Sequence, residues 1–212
     1  VWRNLISVGS TPIAITNCLN FGNPEKEDVM GQFVETIDGI SQACKYLDFP
    51  VVSGNVSFYN ETNNKAISPT PTIGGVGLIK NLSYMMTKDF KKKDSIIFVI
   101  GKTSGHLFQT ELFREVLNFE LGSPPEVNLF NEKNNGQLIL NLISKKLINS
   151  VHDISSGGML VALSEMCLFS KIGAKIKVPR NNIDTLEYLF SEDQSRYILE
   201  VDEINKKEVI KI

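Results

Sequence analysis

The chain has 212 residues, of which 42% are hydrophobic and 22% charged, enough for one large domain or two small ones. Its 22 lysines and arginines balance 24 aspartates and glutamates, and a net charge of −2 gives no field that favours nucleic acid. Cys18, Cys44 and Cys167 lack the spacing of a zinc site or disulfide framework, and no apolar run reaches the roughly 18 residues of a membrane span. We therefore expect a cytoplasmic protein that binds neither nucleic acid nor membrane.

The first part of the chain predicts strands that alternate with one long helix. We expect a strand at residues 12–16, a helix within 24–46, and strands at 50–59 and 70–79. The helix carries apolar residues three or four positions apart, which makes one buried stripe. These are Val29, Phe33, Ile37, Ile40 and Cys44.

The second part begins after a charged linker at residues 87–94 and predicts a further set of strands and helices. The predicted strands are 95–101, 150–153, 174–178 and 196–201, and the predicted helices are 110–118, 131–147 and 157–169. Such alternation predicts an α/β (α+β) fold of two packed units, residues 1–87 and 88–212.

Both ends of the sequence resemble interrupted helices. Residues 1–9 have the pattern of a last helical turn closed by a glycine, and residues 202–210 open a new amphipathic helix. We therefore expect this chain to be a piece of a longer protein.

Small polar residues follow the apolar run at residues 50–52, which predicts a short buried strand with a polar exit. Gly54 lets a ligand approach the backbone, Asn55 offers an amide oxygen that suits Mg²⁺, and Ser57 offers a hydroxyl. A β-bulge packed on a neighbouring strand explains the same residues equally well. Likewise, Asn17 and Asn20 are either site residues or turn residues that bond their own backbone.

A second chemical motif lies at residues 151–158, where His152 and Asp153 precede two serines and two glycines at the start of a helix. Unpaired N–H groups at such a helix start favour anions. The competing interpretation is that Ser155 or Ser156 only caps the helix.

Five segments together resemble the phosphoribosylformylglycinamidine synthase family, specifically the second half of its synthetase subunit. They are residues 16–26, 53–62, 69–77, 151–158 and 189–197. The resemblance covers essentially the whole chain. It implies an ATP-binding domain like that of aminoimidazole ribonucleotide synthetase, truncated at its N-terminus, followed by a truncated α/β partner domain.

The resemblance also implies an activity and its residues. In the family, ATP and Mg²⁺ drive conversion of formylglycinamide ribonucleotide and glutamine-derived ammonia to the amidine, ADP and phosphate. Gly54 and Asn17 match ATP-binding positions, Asn55 a Mg²⁺ ligand and Ser57 a substrate-binding residue. Asn17 stands where many relatives have an aspartate, so a role that needs negative charge is in doubt there. No catalytic residue is assigned within this chain.

The implied partners are the first half of the same chain, which carries the catalytic histidines, and a glutaminase subunit or fused domain. We expect these 212 residues alone to be inactive. By internal pseudo-symmetry, Asp153 and residues 192–194 resemble metal and substrate positions of the partner domain in the first half. In this half the resemblance implies either an auxiliary nucleotide site or a structural remnant. Two alternatives remain: a catalytically silent half that docks the other, and an ATP-using relative such as selenophosphate synthetase or thiamine-phosphate kinase.

Overall fold

The computed structural model describes residues 1–178 and 183–212. The chain divides into two compact units, one formed by residues 1–5 and 11–78 and the other by residues 6–10 and 79–212. The predicted boundary near residue 88 remains a prediction. Within the described residues, no helix combines the length and the apolar character that crossing a membrane requires.

The first unit is a three-stranded sheet covered on one face by helices. A short helix, α1 (Trp2–Ser7), begins in this unit and precedes strand β1 (Thr11–Asn20). Helix α2 (Glu27–Leu47) then leads to strand β2 (Val51–Ser57), and strand β5 (Thr70–Leu78) completes the order β2-β1-β5. β1 and β2 are parallel, as a strand–helix–strand crossover requires, whereas β1 and β5 are antiparallel.

The predicted apolar stripe of α2 is confirmed. Val29 packs with Leu19 and Phe21 of the β1 segment, and Phe33 stacks edge-on against Phe21 with ring centroids 5.2 Å apart. Ile37 and Ile40 extend the same contact surface. Repetition every three or four residues places these side chains on one helix face, which is the face that covers the sheet.

β1 is longer than the strand predicted at residues 12–16, and β2 is shorter than the strand predicted at residues 50–59. β1 continues through Asn20, so residues 17–20 are not a turn, and β2 runs from Val51 through Ser57. The predicted short buried strand is therefore wrong, because Val51 and Val52 are exposed and the polar residues lie within the strand. The predicted loop at 60–68 contains a small hairpin of strands β3 (Glu61–Thr62) and β4 (Lys65–Ala66).

The second unit contains an antiparallel sheet of order β6-β8-β7, with β6 at Ile96–Ile100, β7 at Ser150–Asp153 and β8 at Tyr197–Val201. The central strand β8 is wholly buried. Helix α3 (Leu129–Ser144) precedes β7, and helix α4 (Gly158–Ser170) follows it. The unit ends with helices α5 (Thr185–Phe190) and α6 (Lys206–Lys211).

The core of the second unit forms between α4 and the sheet. Met159, Leu163 and Met166 of α4 are buried against Ile198 of β8, together with Ile154. Residues 3, 4 and 7 positions apart along one helix share a face, so the buried side of α4 follows from its sequence.

Two predictions for this unit are corrected. The predicted helix at 110–118 is only a five-residue π-helix at Leu112–Val116. The predicted strand at 174–178 does not form, although those residues alternate in polarity, because no neighbouring strand pairs with them among the described residues.

Candidate functional site

The four residues that the sequence singles out lie on the neighbouring strands β1 and β2. In the parallel register, Asn17 is opposite Gly54, Cys18 is opposite Asn55, and Asn20 is opposite Ser57. The structure therefore brings Asn17 next to Gly54, although 37 residues separate them in sequence.

These residues occupy two different faces of the sheet, because successive side chains of a strand point to opposite sides. Asn17 shares a face with Leu19, which packs against α2, and Gly54 lies beside Asn17 on that face. Asn55 and Ser57 lie on the opposite face. The predicted ATP-binding pair and the predicted metal and substrate residues are therefore separated by the sheet itself.

The face that carries Asn55 and Ser57 is lined by small polar side chains. The strand register aligns its residues in three rows across β2, β1 and β5. The rows are Ser53, Thr16 and Gly74; then Asn55, Cys18 and Thr72; then Ser57, Asn20 and Thr70. We call these nine residues the polar face.

The sequence analysis missed the contribution of β5 to the polar face. Thr70 and Thr72 alternate with Pro71 and Ile73 along the strand. That period-two pattern is the signal in the sequence that identifies them.

Hydrogen bonds hold one part of the polar face and leave another part free. Thr16 Oγ1 and Ser53 Oγ lie 2.8 Å apart. The Nδ2 group of Asn60 donates to the carbonyl oxygens of Phe21 and Ser57, each at 3.0 Å, and to Ser57 Oγ at 3.2 Å. By contrast, the exposed amide of Asn55 has no hydrogen-bond partner among the described residues, so its oxygen is available to a ligand.

On the other face, Gly54 is required by the position of Asn17. A Cβ added to Gly54 would overlap the Asn17 side-chain oxygen and would lie 2.5 Å from the Asn17 carbonyl oxygen. The group that comes close to the backbone of Gly54 is therefore Asn17 of this chain rather than a ligand. The β-packing interpretation of Gly54 accounts for this contact.

An ion pair joins the chain segments that follow β1 and β2. Glu61 Oε1 lies 2.7 Å from Lys26 Nζ and also accepts from the backbone N–H of Asn23 at 3.2 Å. The hydrogen bond from Lys26 is the main cause that lowers the pKa of Glu61, with the Asn23 N–H adding to it. The charge of this carboxylate is therefore already compensated.

The acidic motif at residues 192–194 of the second unit is held by backbone N–H groups. Glu192 Oε1 accepts from Glu111 and Gly157, each at 2.8 Å. Asp193 Oδ2 accepts from Ser104 at 2.8 Å and Gly105 at 3.0 Å. These bonds fix three loops to the strand entry of β8, so this arrangement fits the structural interpretation of the motif.

His152 lies between two carboxylates in the second unit. Its Nε2 is 2.9 Å from Glu165 Oε2, and its Nδ1 is 3.4 Å from Asp153 Oδ1. Burial acts to lower the pKa of His152, but the hydrogen bonds and negative charges of the two carboxylates outweigh it and raise the pKa above its usual value. Lys88, 2.6 Å from Glu165, and His152 together lower the pKa of Glu165.

The described residues contain no group of three or more histidine, cysteine, aspartate or glutamate side chains that could hold a metal ion. On the polar face, Asn55 offers one amide oxygen without a neighbouring carboxylate in its strand rows. These residues fit Mg²⁺ only as one ligand of a set completed by phosphate, water or other chain segments.

Two protein-family models match the chain, one in its N-terminal part and one in its C-terminal part. Residues 1–79 match the model described as AIR synthase related protein, N-terminal domain, and residues 92–212 match the corresponding C-terminal domain. The chain belongs to the AIR synthase related protein family. The α/β architecture and the order of the two domains agree with the fold predicted from sequence.

Among curated relatives, members of this family named phosphoribosylformylglycinamidine synthase subunit PurL are similar along the whole chain. The protein of Pelagibacter ubique is 58% identical over 211 residues, covering 100% of this chain and 29% of the relative. The protein of Azorhizobium caulinodans is 51% identical over 198 residues, covering 93% of this chain and 27% of the relative. The chain thus spans less than a third of the length of these relatives.

Solved structures of the family have the same fold. Thermotoga maritima PurL complexed with ATP superimposes with a TM-score of 0.72 at 17% identity, covering 100% of this chain and 33% of that one. The same protein complexed with FGAR gives a TM-score of 0.74 at 17% identity, covering 99% and 34%. At this level of identity the similarity concerns the fold alone.

Proposed function

We propose that this chain forms part of the cytoplasmic, ATP-dependent ligase that makes formylglycinamidine ribonucleotide in purine biosynthesis. The reaction joins ammonia derived from glutamine to formylglycinamide ribonucleotide and releases ADP and phosphate. The names of the similar relatives support this reaction. ATP and FGAR in the titles of two similar structures support the two substrates.

The observation that carries the proposal is the free amide of Asn55 at the middle row of the polar face. A surface whose only role was packing would present apolar side chains there, as the opposite face does with Ile15 and Leu19. Instead, hydroxyl, amide and glycine positions lie in register across three strands. Such groups suit a phosphorylated, hydroxyl-rich substrate.

We assign roles on this basis. The Asn55 oxygen would be one ligand of Mg²⁺, and the ion would supply positive charge that neutralises the phosphates of ATP. Ser57 donates its hydroxyl to formylglycinamide ribonucleotide, and Asn60 holds that hydroxyl in position at 3.2 Å. Asn17, for whose amide Gly54 makes room, lies on the opposite face of the sheet, so a contact of Asn17 with ATP is separate from the Mg²⁺ position at Asn55.

The chain requires partners for this activity. No carboxylate lies on the polar face to balance the charge of a metal ion, and no general base is assigned. We propose that the first half of the same chain supplies these groups and that a glutaminase subunit or domain supplies ammonia. The 212 residues alone are expected to be inactive, since electrostatic stabilisation is usually the largest catalytic contribution.

A second candidate function is a catalytically silent half that docks the catalytic one. Two carboxylates favour this function, because Glu192 and Asp193 accept hydrogen bonds from backbone N–H groups of the second unit and thereby hold its loops in place. The contact of Asn17 with Gly54 also favours it. In this case the polar face would survive only for folding and docking.

Complementation separates the two. The complete gene is expressed in a purine auxotroph that lacks this synthetase, beside versions carrying Asn55→Ala or Ser57→Ala. If the first proposal holds, the complete gene restores growth, and each variant restores it poorly while accumulating as folded protein. Full growth with both variants would favour the second candidate function, in which this half is catalytically silent. Failure of the unaltered gene, with folded protein present, would overturn the ligase proposal.

A further inference from the structure

The second unit contains a cavity of about 480 Å³ that the proposed ligase function does not use. It lies between the turn that follows β6, the first turns of α3, and the segment that precedes β8. Its volume is within the range of small-molecule sites. Apart from Gly101, every residue that lines it is polar or charged.

The walls of this cavity are fixed by hydrogen bonds. Asp193 joins the turn after β6 through the N–H groups of Ser104 and Gly105. Asn135 of α3 donates to the Ser195 carbonyl at 2.8 Å, and the Ser195 hydroxyl donates to Glu132 at 2.7 Å. All three segments are therefore tied together before any ligand arrives, which reduces the entropic cost of binding.

Several hydrogen-bonding groups remain free on these walls. Both N–H groups that bond Asp193 use Oδ2, so Oδ1 accepts nothing from the described residues, although the residue is only 8% exposed. The side-chain amide of Asn131 likewise has no partner in the described part of the chain. His106 Nε2 lies 2.8 Å from the Ser123 carbonyl and must donate to it, which leaves Nδ1 as an acceptor in the neutral ring.

The charges and contacts of the lining residues disfavour two classes of ligand, phosphates and free cations. The ionised lining residues are Lys102, Glu126 and Asp193, one cation against two anions, so a phosphate would meet a net negative surface. A cation would meet Lys102, and the charge of Asp193 is already stabilised by two N–H groups. A nucleobase is disfavoured as well, because the cavity offers no apolar side chain to cover it.

We propose that this cavity binds an uncharged, polyhydroxylated molecule of sugar size. Hydroxyl groups donate to Asp193 Oδ1 and His106 Nδ1 and accept from the amide of Asn131, so these three wall groups each find a partner. The inference is independent of the ligase proposal, since none of these residues belongs to the polar face.

The test uses saturation-transfer NMR on the product of the complete gene, with D-ribose, D-glucose and sorbitol as probes. At least one probe is expected to receive saturation, and ribose 5-phosphate is expected to compete poorly. Asn131→Leu should weaken binding roughly tenfold through the lost hydrogen bond and the filled space. Asn134→Leu is the matched control, because Asn134 is exposed on the same helix and does not line the cavity.

Three outcomes overturn the proposal: no saturation of any probe, equal saturation in Asn131→Leu and wild type, or stronger binding of ribose 5-phosphate than of ribose. Asn131 is exposed, so both variants should fold, which a thermal melt checks. Synthetase activity should be unchanged in both variants. Absence of sugar binding would therefore leave the ligase proposal unaffected, and absence of synthetase activity would leave the cavity proposal unaffected.

Discussion

The side-chain oxygen of Asn17 occupies the space that a Cβ on Gly54 would need. The two residues are paired in the parallel register of β1 and β2, and the Asn17 carbonyl borders the same space. Glycine at position 54 is thus a consequence of strand packing, whatever ligand the sheet binds.

Gly54→Ala should therefore destabilise the protein by about 1–3 kcal/mol, the usual cost of forcing atoms into a filled space. The measurement is the free energy of unfolding in urea. Gly39→Ala is the matched control, because Gly39 lies exposed in α2 with no atom within 4 Å of an added Cβ. That change should stabilise the helix by about 0.5–1 kcal/mol.

A second change shows whether Asn17 causes the effect. In the double variant Asn17→Ala with Gly54→Ala, the side-chain overlap is absent but the carbonyl contact remains, so part of the lost stability should return. No recovery would mean that the Asn17 side chain does not set the requirement for glycine.

Glu192 should contribute to stability through its two backbone contacts. Glu192→Ala leaves the N–H groups of Gly157 and Glu111 without their carboxylate acceptor and should cost about 2–3 kcal/mol. Glu192→Gln keeps an oxygen acceptor and should cost less. Chemical denaturation of both variants, with Glu126→Ala as an exposed control, measures the difference. Equal stability of all three would contradict this role.

The His152 contacts predict a pH-dependent contribution to stability. Since the folded-state pKa is raised, the contribution is fully present below the ordinary value of 6.5 and is lost as pH rises through the folded-state pKa. Glu165 has the opposite pH dependence, because its pKa is lowered in the folded state. Its contribution to stability is fully present above its ordinary pKa of 4.5 and is lost as the pH falls through the folded-state pKa.

The comparison is wild type against His152→Gln across a pH series of denaturant melts. The stability difference should be largest between pH 4.5 and 6.5 and should shrink in alkaline solution. A difference that stays constant across the series would show that His152 acts only by packing.

Some elements could be predicted because their sequence patterns have one interpretation. The stripe from Val29 to Cys44 recurs every three or four residues, as in an amphipathic helix, and the short length and β-branched residues of the run at β6 favour a strand. The family resemblance rested on five other segments.

Other features could not be predicted because they depend on neighbours distant in sequence. The sequence places Ser53, Asn55 and Ser57 at the polar exit of a short buried strand, yet pairing with β1 makes the whole segment a strand with a polar side. Residues 174–178 have a strand pattern without a partner strand among the described residues. The separation of Asn17 and Asn55 onto opposite faces follows only from the register.

The central claim is that the free amide of Asn55 on the polar face serves as a metal ligand in the complete enzyme. Its most direct test is the Mg²⁺ dependence of synthetase turnover in Asn55→Ala, measured beside its melting temperature. Val56→Ala is the matched control, because Val56 is the next residue of the same strand, exposed on the other face. If the claim is right, Asn55→Ala lowers turnover at least about 10- to 100-fold, added Mg²⁺ restores part of it, and stability changes by less than about 0.5 kcal/mol. A loss of melting temperature with an unchanged Mg²⁺ dependence would contradict the claim.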